Sequence, residues 1–192
     1  MKTSSLRHTI LFAASAGLAF SCTDPVLDDR VEAQGNETEG IEPGPFHRVG
    51  QRCTACHQNN GKASDSPFTL AGTVFASPTR QVGVDGVEIR LTDADGTKYI
   101  AKTNCVGNFF IKPGEWQPKF PVLVNMSKKG IQRAMQSPIG READCGGCHS
   151  LEIPPADPFS QMPHVYLFGS DETGFKDGDP QCPVDPVRPG TK

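Results

Sequence analysis

The 192-residue chain lacks any apolar run long enough to cross a bilayer. Its longest, Ile10 to Phe20, falls short of the roughly 18 to 20 residues that a spanning helix needs. It has no cluster of Lys and Arg either. With 19 basic against 22 acidic residues the formal net charge is −3, and nucleic acid is not an expected partner. Hydrophobic residues make up only 36%, which implies a thin core for one modest domain. Gly (20) and Pro (17) are plentiful instead, favouring turns, short strands and irregular segments over long helices.

What is present begins with a leader. Lys2 and Arg7 precede the apolar run, which ends in Leu18-Ala19-Phe20-Ser21-Cys22. This ending resembles the lipobox of bacterial lipoproteins. The resemblance implies a signal peptide over residues 1–21, lipidation of Cys22 and a place in the cell envelope, in the periplasm or on the outer membrane. Ordinary cleavage nearby would leave Cys22 a spare thiol. Loss of residues 1–21 removes Lys2 and Arg7 and no acid, taking the net charge from −3 to −5.

Residues 22–45 read as an acidic tether. Asp24, Asp28, Asp29, Glu32, Glu37, Glu39 and Glu42 face only Arg30, and apolar residues are too sparse to predict a packed element. A first motif segment follows at 46–66. Residues 67–136 then alternate in the manner of short strands. Val87, Ile89 and Leu91 interleave with Glu88 and Arg90, and Val122, Val124 and Met126 repeat the period of two. Asp93-Ala94-Asp95-Gly96, Asn104-Cys105-Val106-Gly107 and Lys128-Lys129-Gly130 are turn signals between them. The expected fold is mainly β: a small antiparallel β-sandwich flanked by two irregular cysteine-bearing segments. The second motif segment spans 137–169, and 170–192 is a Pro-containing irregular tail.

Within 68–136, Leu70-Ala71-Gly72-Thr73-Val74-Phe75, Gly86-Val87-Glu88-Ile89-Arg90-Leu91-Thr92-Asp93 and Thr103-Asn104-Cys105-Val106-Gly107-Asn108-Phe109 resemble the carboxypeptidase regulatory-like, or transthyretin-like, sandwich family. That resemblance implies a scaffold or binding module rather than catalysis.

Seven cysteines carry the chemistry. Cys53-Thr54-Ala55-Cys56-His57 and Cys145-Gly146-Gly147-Cys148-His149 are two C-x-x-C-H units. With Cys at 7 and His at 5 of 192 positions, one such unit arises by chance in roughly 0.6% of chains, and two in roughly a few per 10⁵. The spacing suits haem c. Two thiols three positions apart reach the two vinyl groups on one porphyrin edge, and the adjacent His falls beneath the iron. The units thus resemble those of multihaem c-type cytochromes, implying two haem c groups held by Cys53, Cys56, Cys145 and Cys148, with His57 and His149 as proximal ligands. Two other uses stay open. A split zinc ribbon would collect four thiolates but leave both histidines unexplained, and a redox C-x-x-C would lack its βαβ context. The remaining pair, Cys105 and Cys182, reads as a disulfide in an oxidising compartment.

Two further histidines follow the leader, His47 and His164. They are candidate distal ligands, with Met162 as an alternative to His164. Met126 and Met135 fall on expected strands and read as core. The function expected is transfer of single electrons between a redox donor and an acceptor, with membrane attachment through Cys22. The alternatives are a haem-bearing binding or sensor module and a dihaem peroxidase-like enzyme, for which no acid–base group near either motif stands out.

Overall fold

The structure is a computed structural model that describes residues 24–37, 41–149 and 162–169. The leader, Cys22, Cys182 and the tail 170–192 lie outside the described residues. So do residues 23, 38–40 and 150–161.

The described residues open on a helix, α1 (Pro25–Glu32), where the sequence predicts an unpacked tether. Asp24 caps it, accepting hydrogen bonds from the backbone N–H groups of Val26 (3.1 Å) and Leu27 (3.2 Å), and Pro25 occupies the first turn. Val31 is buried, and α1 packs on a 3₁₀ turn at Cys53–Ala55. One apolar residue on a well-capped helix suffices here because it docks on structure already formed.

Eight strands follow: β1 (Leu70–Ser77), β2 (Arg80–Gly83), β3 (Glu88–Thr92), β4 (Lys98–Lys102), β5 (Asn108–Ile111), β6 (Leu123–Lys128), β7 (Ile131–Ala134) and β8 (Val165–Tyr166). They form two four-stranded sheets, as a β-sandwich requires. In the first, β1 pairs antiparallel with β2 and β5 and parallel with β8. The second runs β4-β3-β6-β7, antiparallel throughout.

The alternation in β3 works as the sequence predicts. Ile89 and Leu91 are buried, in register with Ala101 and Tyr99 on one side and Met126 and Val124 on the other. Turn chemistry fixes that register. The Asp93 carboxylate accepts from the N–H groups of Asp95 (3.0 Å) and Thr97 (2.8 Å). Asn104 does the same for Val106 and Asn108, both at 3.1 Å. Lys129 (φ 48°) and Gly130 (φ 84°) close the β6–β7 hairpin with the paired positive φ values of a primed turn.

Leu70, Val74, Ile89, Leu91, Phe109, Ile111, Val122 and Leu167 form the centre of the core. Full burial of each such side chain contributes about 1.5–3 kcal/mol before entropy is counted. β1 is buried along its whole length. Leu70, Val74 and Ala76 face the sandwich core, so the alternate residues Thr73 and Phe75 face outward, under the first motif segment. The Gly50 N–H donates to Thr73 Oγ1 (2.9 Å), and Ala71 bridges to Asp144. β1 is therefore the common floor of both C-x-x-C-H units. Among the described residues, no helix is long and apolar enough to cross a membrane.

Candidate functional site

The first motif forms the 3₁₀ turn, with the N–H groups of Cys56 (3.1 Å) and His57 (2.9 Å) both donating to the Cys53 carbonyl. This fold-back sets His57 beside Phe68, ring on ring at 4.0 Å, and Phe68 stacks in turn on Phe110 at 4.8 Å. His57 Nδ1 lies 2.7 Å from the Ser66 carbonyl. A carbonyl only accepts, so Nδ1 carries the proton and Nε2 keeps its lone pair.

His47 stands across from His57, with ring centres 5.9 Å apart and planes at 70°. Two imidazoles sharing one metal, with metal–nitrogen bonds of about 2.0 Å, place their ring centres about 6 Å apart. Burial lowers the His47 pKa, against the opposing pull of Glu37, whose carboxylate is 3.6 Å from Nδ1. His47 thus favours the neutral form that a ligand needs. A cavity of about 940 Å³ opens here, walled by Cys53, Cys56, His47, His57, Phe68 and Phe110. Arg48 and Lys62 lie on the same wall.

The second motif forms a single helical turn, α2 (Cys145–Cys148), with Asp144 as its cap. His149 repeats the first pattern. Its N–H donates to the Cys145 carbonyl (2.7 Å), and its Nδ1 lies 2.8 Å from the Pro163 carbonyl. The adjoining cavity, about 480 Å³, holds both thiols and His149 and reaches between the sheets to Val74, Phe109 and Met126. Met135 and Met162 also border it, Met162 being 40% exposed at the edge.

His164 is placed differently from His47. It borders this cavity but is 8% exposed, with its ring stacked on Phe75 at 4.5 Å and close against Gly50. Phe75 points away from the face of β1 that carries Val74. The structure brings His47 to His57, while His164 shares the second cavity with His149 and lays its ring on Phe75.

The four motif cysteines are free thiols. Burial first, and Asp144 and Cys148 next, push the Cys145 thiol up to about 12. Burial and then Asp144 also raise Cys53, while burial and then Glu142 raise Cys148. Without a bound group, these surroundings keep the thiols protonated. Among the described residues, no three His, Cys, Asp or Glu side chains converge on one ion site. Covalent haem asks less of the donors: neutral thioethers and one or two imidazoles. Thiol pairs, an adjacent imidazole with Nε2 open and an aromatic or aliphatic cavity satisfy that demand at each motif. Cys105 is disulfide-bonded, and its expected partner Cys182 lies outside the described residues.

The two motifs also touch, which the sequence does not reveal. Asp144 Oδ2 accepts the Thr54 N–H (2.5 Å) from the first unit, and Oδ1 accepts the Gly146 N–H (2.9 Å) from the second. Arg52 and Glu142 form an ion pair beside them at 2.5 Å, so Arg52 serves this junction. Gly146 lies so close to Gln51 that a Cβ would come within 2.6 Å of the Gln51 carbonyl. Burial raises the Asp144 carboxyl to about 6 despite hydrogen bonds from the Thr54 backbone and side chain and the Gly146 backbone. The one local hint of this role is an Asp in helix-capping position before Cys145.

No family model matches the chain, nor does any curated protein or solved structure.

Proposed function

We propose that the chain is an exported dihaem c-type cytochrome that passes single electrons between redox partners at the cell envelope. The observation that carries the reading is the first motif. There, two thiols, an imidazole with Nε2 open and a second imidazole 5.9 Å away share one aromatic-walled cavity. On this reading Cys53 and Cys56 hold one haem, with His57 as proximal and His47 as distal ligand. Cys145 and Cys148 hold the other, with His149 as proximal ligand.

When bound, each haem iron supplies a one-electron ferric/ferrous couple. The chain's own residues would orient the two motif imidazoles and wall the cofactor from water. Ser66 and Pro163 carbonyls fix the His57 and His149 tautomers, and Phe68 and Phe110 wall one site while Val74 and Phe109 wall the other. Met162 would supply the second ligand at this site, with His164 as the alternative. Three of the chain's four methionines border this cavity, which favours the thioether. A His/Met iron holds its electron more readily than a bis-His iron, so electrons would rest at the second centre. The leader and Cys22 support attachment to a membrane, and the acidic balance favours basic partners.

The test is to mature the full chain in a host with cytochrome c assembly machinery. A pyridine haemochrome assay is expected to give two haems per chain with bands of saturated vinyl groups, both irons low-spin in the native protein. A colourless, haem-free product from that host would overturn the reading. Two haems with one stably five-coordinate iron would redirect it toward peroxidase chemistry.

A further inference from the structure

We infer that Asp144 is a positioning residue that clamps the two haem-attachment loops to each other and so sets the mutual register of the two cofactors. The inference rests on the dihaem reading and extends it to the relation between the centres.

The argument starts from what a helix cap needs. Capping α2 takes one carboxylate oxygen, and Oδ1 does that through the Gly146 N–H. The other oxygen serves the opposite motif. Oδ2 receives the N–H of Thr54, which sits between Cys53 and Cys56 and is 90 positions away in sequence. One side chain thus bonds the interior of both C-x-x-C loops. It does so at 2% exposure, where water cannot replace either partner.

Two neighbours enforce the same arrangement. The Arg52–Glu142 ion pair joins the residues leading into each loop. Gly146 has no side chain where Gln51 passes, which lets the two backbones meet. Neither neighbour, however, reaches inside both loops as Asp144 does. With cofactors bonded through Cys53 and Cys145, rotation of one loop against the other would change the angle between them. The carboxylate opposes that rotation through two bonds of different direction.

The clamp also closes a short connection. From Cys53 the chain runs one residue to the Thr54 N–H, across the hydrogen bond to Asp144, and one residue to Cys145.

The test uses the matured full chain and its D144A and D144N variants. Haem content comes from pyridine haemochrome, and relative orientation from the two-signed Soret circular dichroism of two coupled haems. Wild type is expected to show the couplet. D144A is expected to keep two haems while the couplet falls about threefold, once angular control of 10–20° is lost. D144N keeps one acceptor oxygen and is expected to fall between. Unchanged couplets in D144A would overturn the clamp. If D144A yields no folded protein, D144N decides: a reduced couplet supports the clamp and an unchanged one overturns it. A wild type with two haems and no couplet overturns the clamp alone, while a wild type without haem overturns it together with the dihaem reading.

Discussion

The two C-x-x-C-H units share a sequence pattern and a floor strand, yet they sit in unlike surroundings. The first lies over the outer face of the β1 sheet, with His47 opposite His57 and α1 packed alongside. The second enters between the sheets, among Val74, Phe109, Met126 and Met135, while His164 turns its ring to Phe75. Motif identity sets the local turn and the histidine's carbonyl contact; the surrounding strands set what faces each histidine. The difference teaches that, on the dihaem reading proposed above, two like motifs would give two unlike centres.

The strongest way to break this comparison is to remove each distal histidine in turn. H47A is expected to leave one of the two irons high-spin, read by electron paramagnetic resonance. H164A is expected to leave both low-spin, and M162A to remove the thioether-to-iron charge-transfer band. Loss of low-spin character in H164A equal to that in H47A would make the sites alike.

A second contrast is electrostatic, since only the second unit contributes a buried carboxylate. The Asp144 carboxyl titrates at about 6 in the folded chain, against an ordinary 3.8. Between those values the folded state holds the proton and the unfolded state has released it. Stability from this group is therefore greatest below 3.8, declines as pH rises to about 6, and is flat above. The full change is on the order of 3 kcal/mol. Urea titrations across that window are expected to show the decline in wild type and a flatter profile in D144N. An identical slope in both would remove Asp144 from the account.

Glycines sharpen the comparison further, because each site has at least one that tolerates no side chain. A Cβ on Gly61 would lie 2.1 Å from the Cys56 carbonyl oxygen, and one on Gly72 would lie 2.6 Å from Cys145 Cβ. Each Ala substitution is expected to cost about 1–3 kcal/mol. G61A should impair haem attachment at the first unit only, and G72A at the second only, as peptide mapping of haem-bearing fragments would show. The smallest expected effect is at Asp24. Losing this cap should cost about 1 kcal/mol, loosen α1 and raise ligand exchange at the first haem without touching the second. Carbon monoxide binding kinetics of D24A would register it.

Much of the fold is written locally. Ile89 and Leu91 announce their strand by alternation, and Asp93, Asn104 and Gly130 announce the turns that fix its neighbours. The thiol pairs and their histidines are equally plain. The remainder depends on contacts between distant segments. Val31 gives no periodic signal, so α1 is invisible until its docking surface exists. The two residues of β8 pair with β1 only because the chain after the second motif returns there. His47 and His164 look alike in sequence, since the face of β1 each meets is decided by tertiary folding. Asp144 reads as a helix cap; its second bond, to Thr54, has no local trace.

Intact mass under denaturing conditions tests the central claim most directly, because thioether-bound haem survives unfolding. Matured wild type should carry the mass of two haems, and the C53A/C56A and C145A/C148A double variants one each. An unmodified mass for the wild-type chain would contradict the account.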